Sequence, residues 1–140
     1  MRFMAFAVAL TLAAPVAAFA GDLTVKVVEV QSDQGNVLGA LYNNAGAFLK
    51  PEQAAGRAKV KAAKGEIDLV YKNLAPGKYA VSVFHDENDN GKLDRNNFGI
   101  PTEGYGFSND AHGNAGPPSF DQAAIDFDGK DKSITVDLDY

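Results

Sequence analysis

From residue 21 onward apolar side chains recur at every second position in short runs. This is the pattern of strands with one buried face. Leu23, Val25 and Val27 alternate with Thr24 and Lys26, and the pattern slips by one at Val27-Val28, which predicts a β-bulge. From Val37 to Tyr42 both faces are apolar or small, as in a central strand. Ala58, Val60 and Ala62 alternate with Arg57, Lys59 and Lys61, and Ile67, Leu69 and Tyr71 alternate with Glu66 and Asp68. Tyr79, Val81 and Val83 form another such run. Ala123, Ile125 and Phe127 lead through Asp128-Gly129 into Ile134, Val136, Leu138 and Tyr140, a pattern that predicts a terminal hairpin.

Turn chemistry punctuates these runs. In Ala75-Pro76-Gly77-Lys78, proline and glycine sit where a type II turn needs fixed negative φ and then positive φ. Pro51 to Ala55 predicts one helical turn, since proline is tolerated at a helix start. No longer amphipathic helix is visible. The expectation is an all-β chain, a single antiparallel β-sandwich of about seven strands resembling immunoglobulin or transthyretin domains.

The first twenty residues break the alternation. Arg2 precedes an apolar stretch from Phe3 to Leu12, and Ala18-Phe19-Ala20 places small residues around a cleavage point before Gly21. Residues 1–20 therefore read as a cleavable signal peptide and residues 21–140 as one β-sandwich domain, periplasmic or secreted. The apolar stretch is too short for a membrane span.

Charge and composition narrow the chemistry. Without Arg2, 12 basic residues face 18 acidic ones, a net charge of −6. That balance argues against nucleic acid and anionic membrane surfaces, which demand basic patches. The absence of cysteine removes disulfides, thiol catalysis and cysteine-type zinc sites. An outer-membrane barrel, prompted by the alternating C-terminal run, conflicts with the short length and the charged residues on the strand faces.

Residues 86–119 depart from the strand rhythm. This glycine- and asparagine-rich stretch is expected to be one long, ordered, functional loop, packed down by Phe98, Tyr105, Phe107 and Phe120. It opens with Asp86-Glu87-Asn88-Asp89-Asn90-Gly91-Lys92-Leu93-Asp94, oxygen-bearing side chains at alternate positions with glycine at the bend. Calcium wants six to eight oxygen ligands at short range, and such a loop supplies them. Asp86, Asn88 and Asn90 would give side-chain oxygens, Lys92 its carbonyl, and Asp94 a direct or water-bridged carboxylate. Leu93 would anchor the loop inward. The twelfth position, where a bidentate glutamate is usual, is Asn97; Asp89, Glu103 or Asp110 would have to complete the shell. With two charged direct ligands the expected affinity is weak, on the order of 10⁻⁴ to 10⁻³ M. The plainer reading is a solvated turn in which aspartate and asparagine bond their own backbone.

Weaker candidates share the stretch. His85 and His112 could join Asp86 or Glu103 around zinc or copper, although a hydrogen-bonded histidine at a strand end is the commoner arrangement. Phe98, Tyr105 and Phe107 would make either a sugar platform or a local core. Gly104-Tyr105-Gly106 lacks the strand-to-helix setting of a phosphate loop, and neither Ser108 nor Ser119 sits in a nucleophile elbow. The rival to a binding or structural module is a hydrolase using Glu103 or Asp110 with His112.

Three uncommon motifs occur in order: Asn73-Leu74-Ala75-Pro76-Gly77-Lys78-Tyr79-Ala80-Val81, then His85 through Asp94, then Phe98-Gly99-Ile100-Pro101-Thr102-Glu103-Gly104-Tyr105-Gly106-Phe107-Ser108-Asn109. They continue into Gly116-Pro117-Pro118-Ser119-Phe120. Together they resemble the exported bacterial family called domain of unknown function 2141. The resemblance implies a secreted or periplasmic single domain and brings no catalytic or binding residues with it. The Leu74-x-Pro76-Gly77-x-Tyr79 stretch is also similar to transthyretin-like and collagen-adhesin B-type repeats, which implies a sandwich without a function. The partner, a protein or a small-molecule ligand, is left open.

Overall fold

A computed structural model describes Ala13 and residues 19–140. The apolar stretch Phe3 to Leu12 and Ala18, on which the signal-peptide reading rests, lie outside the described residues. Eight strands follow: β1 (Gly21–Val30), β2 (Asn36–Tyr42), β3 (Gly56–Lys61), β4 (Gly65–Leu74), β5 (Gly77–Asp86), β6 (Tyr105–Phe107), β7 (Ile125–Phe127) and β8 (Lys132–Asp137), with one helical turn, α1 (Phe120–Ala123), before β7. Pro51–Gln53 form the 3₁₀ turn that Pro51 announces, and a second one spans Ser108–Asp110.

The strands make two sheets, one of three strands in the order β4-β1-β8 and one of five built on β3-β2-β5-β6. Alternate residues of both converge on one core. Leu23, Val25, Val27, Leu69 and Val136 come from the first sheet and Val37, Leu41, Val81 and Val83 from the second, all at most 2 % exposed. The architecture is sandwich-like and mostly β. Period-two patterning leaves Lys26, Asp68, Lys59 and Lys61 exposed as expected, but on the edge strand β3 Val60 is exposed as well.

Three local features differ from the sequence reading. First, Ile125–Phe127 and Lys132–Asp137 do not pair as a hairpin. β7 pairs with Gly77–Tyr79 of β5, and β8 runs parallel to β1 in the other sheet. Phe127 and Val136 both bury their side chains in the core (3 % and 1 % exposed), so each strand extends a different sheet toward it. Asp128-Gly129 carries the crossover, with Gly129 in the left-handed region (φ 85°). The first sheet is therefore mixed rather than purely antiparallel, and the strands number eight.

Second, Gly77 takes no positive φ; the left-handed residue at this corner is Asn73 (φ 56°). Gly77 already belongs to β5, and the corner is tied by the Tyr79 hydroxyl, which donates to the Ala75 carbonyl at 2.6 Å. Third, the long stretch after β5 is interrupted by β6, which pairs Tyr105–Phe107 with Ser82–Phe84. Gly106 lets it approach β8: a β-carbon there would collide with the Asp137 carbonyl. Tyr105 and Asp139 exchange backbone hydrogen bonds at 2.9 Å in both directions, joining the two sheets at that edge. The bulge expected near Val27-Val28 is present. The β1–β4 register shifts between Val27 and Val30, and Glu29 has φ 62°.

Candidate functional site

β5 delivers Asp86 to the bottom of the acidic loop as a fully buried carboxylate. Asp86 Oδ1 accepts the Asn90 amide at 3.1 Å and Oδ2 accepts the Gly91 amide at 2.8 Å. Bending the chain back within five residues requires left-handed backbone at Asp89 (φ 54°) and Gly91 (φ 76°). Asn, Asp and Gly are the residues that adopt it at least cost, so the sequence of the loop and its shape agree.

Asp94 closes the turn. Its Oδ2 accepts from Asn88 Nδ2 at 2.5 Å and its Oδ1 from Asn90 Nδ2 at 2.6 Å. These donors, Asn90 foremost, hold its carboxyl below the usual range. Lys92 enters through its amide, which donates to Asn90 Oδ1 at 3.0 Å. The five sequence-predicted residues Asp86, Asn88, Asn90, Lys92 and Asp94 thus belong to one hydrogen-bonded loop.

Of the three carboxylates suggested to complete a shell, one joins. Glu103 is 6 % exposed, and its Oε2 accepts the Asp94 amide at 3.2 Å. Burial pushes its carboxyl upward, and the charges of Asp94 and Asp86 add to the effect. Asp89 faces away, accepting from Asn36 Nδ2 at 2.8 Å and pairing with Lys59 at 3.4 Å. Asp110 lies beside His112 at 3.5 Å. Leu93 is half-buried beneath the loop, and Asn97 sits exposed on the next turn. Among the described residues no group of three or more His, Cys, Asp or Glu side chains stands in metal-binding proximity. Neutral asparagine oxygens would therefore have to make up the coordination of any cation here.

His85, one residue before Asp86, is fully buried and fully used. Nε2 donates to the Gln34 carbonyl at 2.7 Å, which leaves Nδ1 to accept from the Tyr140 hydroxyl at 2.7 Å. The same hydroxyl accepts the Gln31 amide at 3.1 Å. This chain ties the C-terminus to the β1–β2 loop under the acidic turn. A transition metal at His85 would have to break one of these bonds.

Other candidates resolve in the same way. Ser108 is buried, accepting the Val81 amide at 2.8 Å and donating to the Ala123 carbonyl at 2.6 Å, so its hydroxyl is a structural staple. Ser119 caps α1 in a capping box with Gln122. The Asp110–His112 pair is exposed, with side chains 80 % and 66 % accessible, and Glu103 hydrogen-bonds to neither. Phe107 and Phe120 pack around Phe48 at centroid distances of 6.5 and 5.9 Å, a local core under the loops. Phe98 does not join them and stands 88 % exposed.

With this geometry in place, the comparison with known families is decisive on one point. Residues 25–135 match the family described as an uncharacterized protein conserved in bacteria, domain of unknown function 2141. The chain belongs to that family. The match runs from Val25 within β1 to Thr135 within β8, so it covers β2 to β7 completely and includes the whole acidic loop. No match was found among curated proteins or among solved structures. No helix of the described residues is long and apolar enough to cross a membrane.

Proposed function

We propose that this member of the domain of unknown function 2141 family is an exported, non-enzymatic binding or structural module whose Asp86–Asp94 loop takes up calcium weakly. In this reading the fold is an immunoglobulin- or transthyretin-like sandwich. The Tyr79–Ala75 corner supports it, because a tyrosine hydroxyl bonded to backbone a few residues upstream marks the strand corner of such sandwiches. Export rests on residues 1–20 as a signal, and the start of β1 at Gly21 suits processing at that point.

One observation carries the calcium reading: Asp86 and Asp94 are held in one hydrogen-bonded loop, and Glu103 joins it from later in the chain through the Asp94 amide, with Asp86 and Glu103 buried. Burial, with added repulsion from Asp94 and Asp86, raises the proton affinity of Glu103. A divalent cation would relieve that repulsion. The side-chain amides of Asn88 and Asn90 now donate to Asp94, so they would turn over and present oxygen to the ion. Asp86 is already fixed by two backbone amides and needs no rearrangement to contribute.

Thermal unfolding tests the proposal. A dissociation constant on the order of 0.5 mM predicts stabilisation of about 1.4 kcal/mol at about 5 mM calcium, a rise in Tm of roughly 5 °C. Asp94→Asn, at an accessible position, should abolish the rise without unfolding the protein. An unchanged Tm in wild type, or an equal rise in Asp94→Asn, refutes the calcium site.

A further inference from the structure

The outer face of the five-stranded sheet is only half covered. Phe48 and Phe120 close one end over Tyr42 and Phe107. Beyond them a cleft of about 760 Å³ opens, walled by parts of residues 91–101 and 111–118. That volume is of the size of small-molecule sites, about 300–1,000 Å³, which are mainly apolar with a few placed polar groups. Phe84, Tyr105 and Phe107 form its floor, and Ser82 and Tyr42 bring the hydroxyls.

The rim carries an apolar ring in an ordered turn. The Phe98 and Ile100 amides both donate to Asn96 Oδ1, at 2.9 and 3.1 Å, and Arg95 bridges to Pro101. This turn holds Phe98 88 % and Ile100 59 % exposed. Leaving such side chains in water costs free energy that contact with an apolar ligand recovers.

Charge selects the kind of ligand. The chain is acidic, with a net charge of −5. Yet none of the described residues lining the cleft is an aspartate or glutamate, whereas Lys92, Arg95 and His112 are among them. His112 is shared with Asp110 and Asp139, at 3.5 and 3.9 Å. Lys92 and Arg95 are not ion-paired among the described residues. Arg95 Nη1 donates to the Gly99 carbonyl at 2.9 Å, which fixes the guanidinium at the rim. A local cationic edge on an apolar floor, in an otherwise acidic molecule, is complementary to an anion with an apolar body.

We propose that this cleft binds a small amphipathic carboxylate, its apolar body on Phe84, Tyr105 and Phe107 and under Phe98, its carboxylate against Arg95 and Lys92. The site is distinct from the cation loop, although the two share the segment between Gly91 and Arg95. The cleft is tested in chelator, where failure of the calcium reading has no bearing on the result.

The experiment is an amide-resolved NMR titration of the protein with octanoate, octanol and octylammonium, three probes with one tail and different heads. Octanoate should move the Phe84, Tyr105 and Phe107 resonances saturably and bind about tenfold more tightly than octanol, with octylammonium weakest. Arg95→Gln should bring octanoate to the octanol level, and Phe98→Ala should weaken all three probes alike. Both side chains are exposed, so the variants keep the wild-type spectrum elsewhere. Equal affinity for the three heads, shifts confined to another face, or binding only to vesicles of anionic lipid would each overturn the proposal.

Discussion

The five-stranded sheet has two faces made by the same strands. On the inner face Val37, Leu41, Val81 and Val83 are sealed by a second sheet whose side chains alternate in step with them. On the outer face Ala40, Ser82, Phe84 and Tyr105 are covered by loops alone and remain half-exposed. A facing sheet closes completely because its pleat matches. Loops close only where aromatic anchors such as Phe48 and Phe120 reach, and the remainder is left as a cleft. In this molecule stability resides on the inner face, and both proposed binding sites lie at the loops that border the outer one.

Mutations should separate the faces, beginning with the largest effect. Leu41→Ala removes a fully buried side chain between the sheets and should cost about 3 kcal/mol, measured by chemical denaturation. Asp86→Ala strips the Asn90 and Gly91 amides of their acceptor and should cost about 2 kcal/mol in chelator, before any question of calcium arises. Tyr71→Phe should act in the opposite direction. The Tyr71 hydroxyl is buried without a hydrogen-bond partner among the described residues, at 2.5 Å from where a β-carbon on Gly39 would lie, and burial raises its proton affinity. Removing it should stabilise the protein by about 1 kcal/mol.

Glu103 gives a pH signature of known sign. Its carboxyl is raised in the folded protein by burial and by its acidic neighbours. The folded state therefore holds that proton more tightly than the unfolded chain. Its contribution favours folding at low pH and is lost as pH rises from the ordinary carboxylate value through the folded one. In chelator Glu103→Gln should flatten this limb of the pH–stability curve and raise Tm at pH 7. The smallest effect on stability belongs to the outer rim, where Phe98→Ala should change unfolding by less than about 0.5 kcal/mol while weakening ligand binding in the cleft.

Legibility in the sequence followed the same division. Strands β1, β2, β4 and β5 are long enough for period-two alternation and bury the residues that it selects, such as Ile67, Leu69 and Tyr71 in β4, whereas the edge strand β3 leaves Val60 exposed. β6 is three residues long and centred on a glycine, so it carries no periodic signal; the bulky residues flanking Gly106 were its only trace. Pairing of β7 and β8 was misread because one-sided patterning reports which face is buried and not which sheet the strand joins. Gly77 was misread because Asn73 can also take left-handed φ, and the tyrosine corner, a tertiary contact, decided between them. The hydrogen-bonded acidic loop was legible because its spacing of Asp, Asn and Gly is local. The arrival of Glu103, nine residues beyond Asp94, depends on how the chain returns through Thr102, whose amide bonds the Asp94 carbonyl at 2.8 Å.

The central claim is that the loop is a cation site and not merely a solvated turn, and the side-chain amides of Asn88 and Asn90 report on it directly. Both donate to Asp94 in the structure, and an ion can be coordinated by these residues only if their oxygens replace those donors. Calcium titration followed at these two NH₂ groups should give saturable shifts with a midpoint on the order of 0.1 to 1 mM. Amide resonances that stay in place at about 10 mM calcium would contradict the account and leave the loop as a hydrogen-bonded turn.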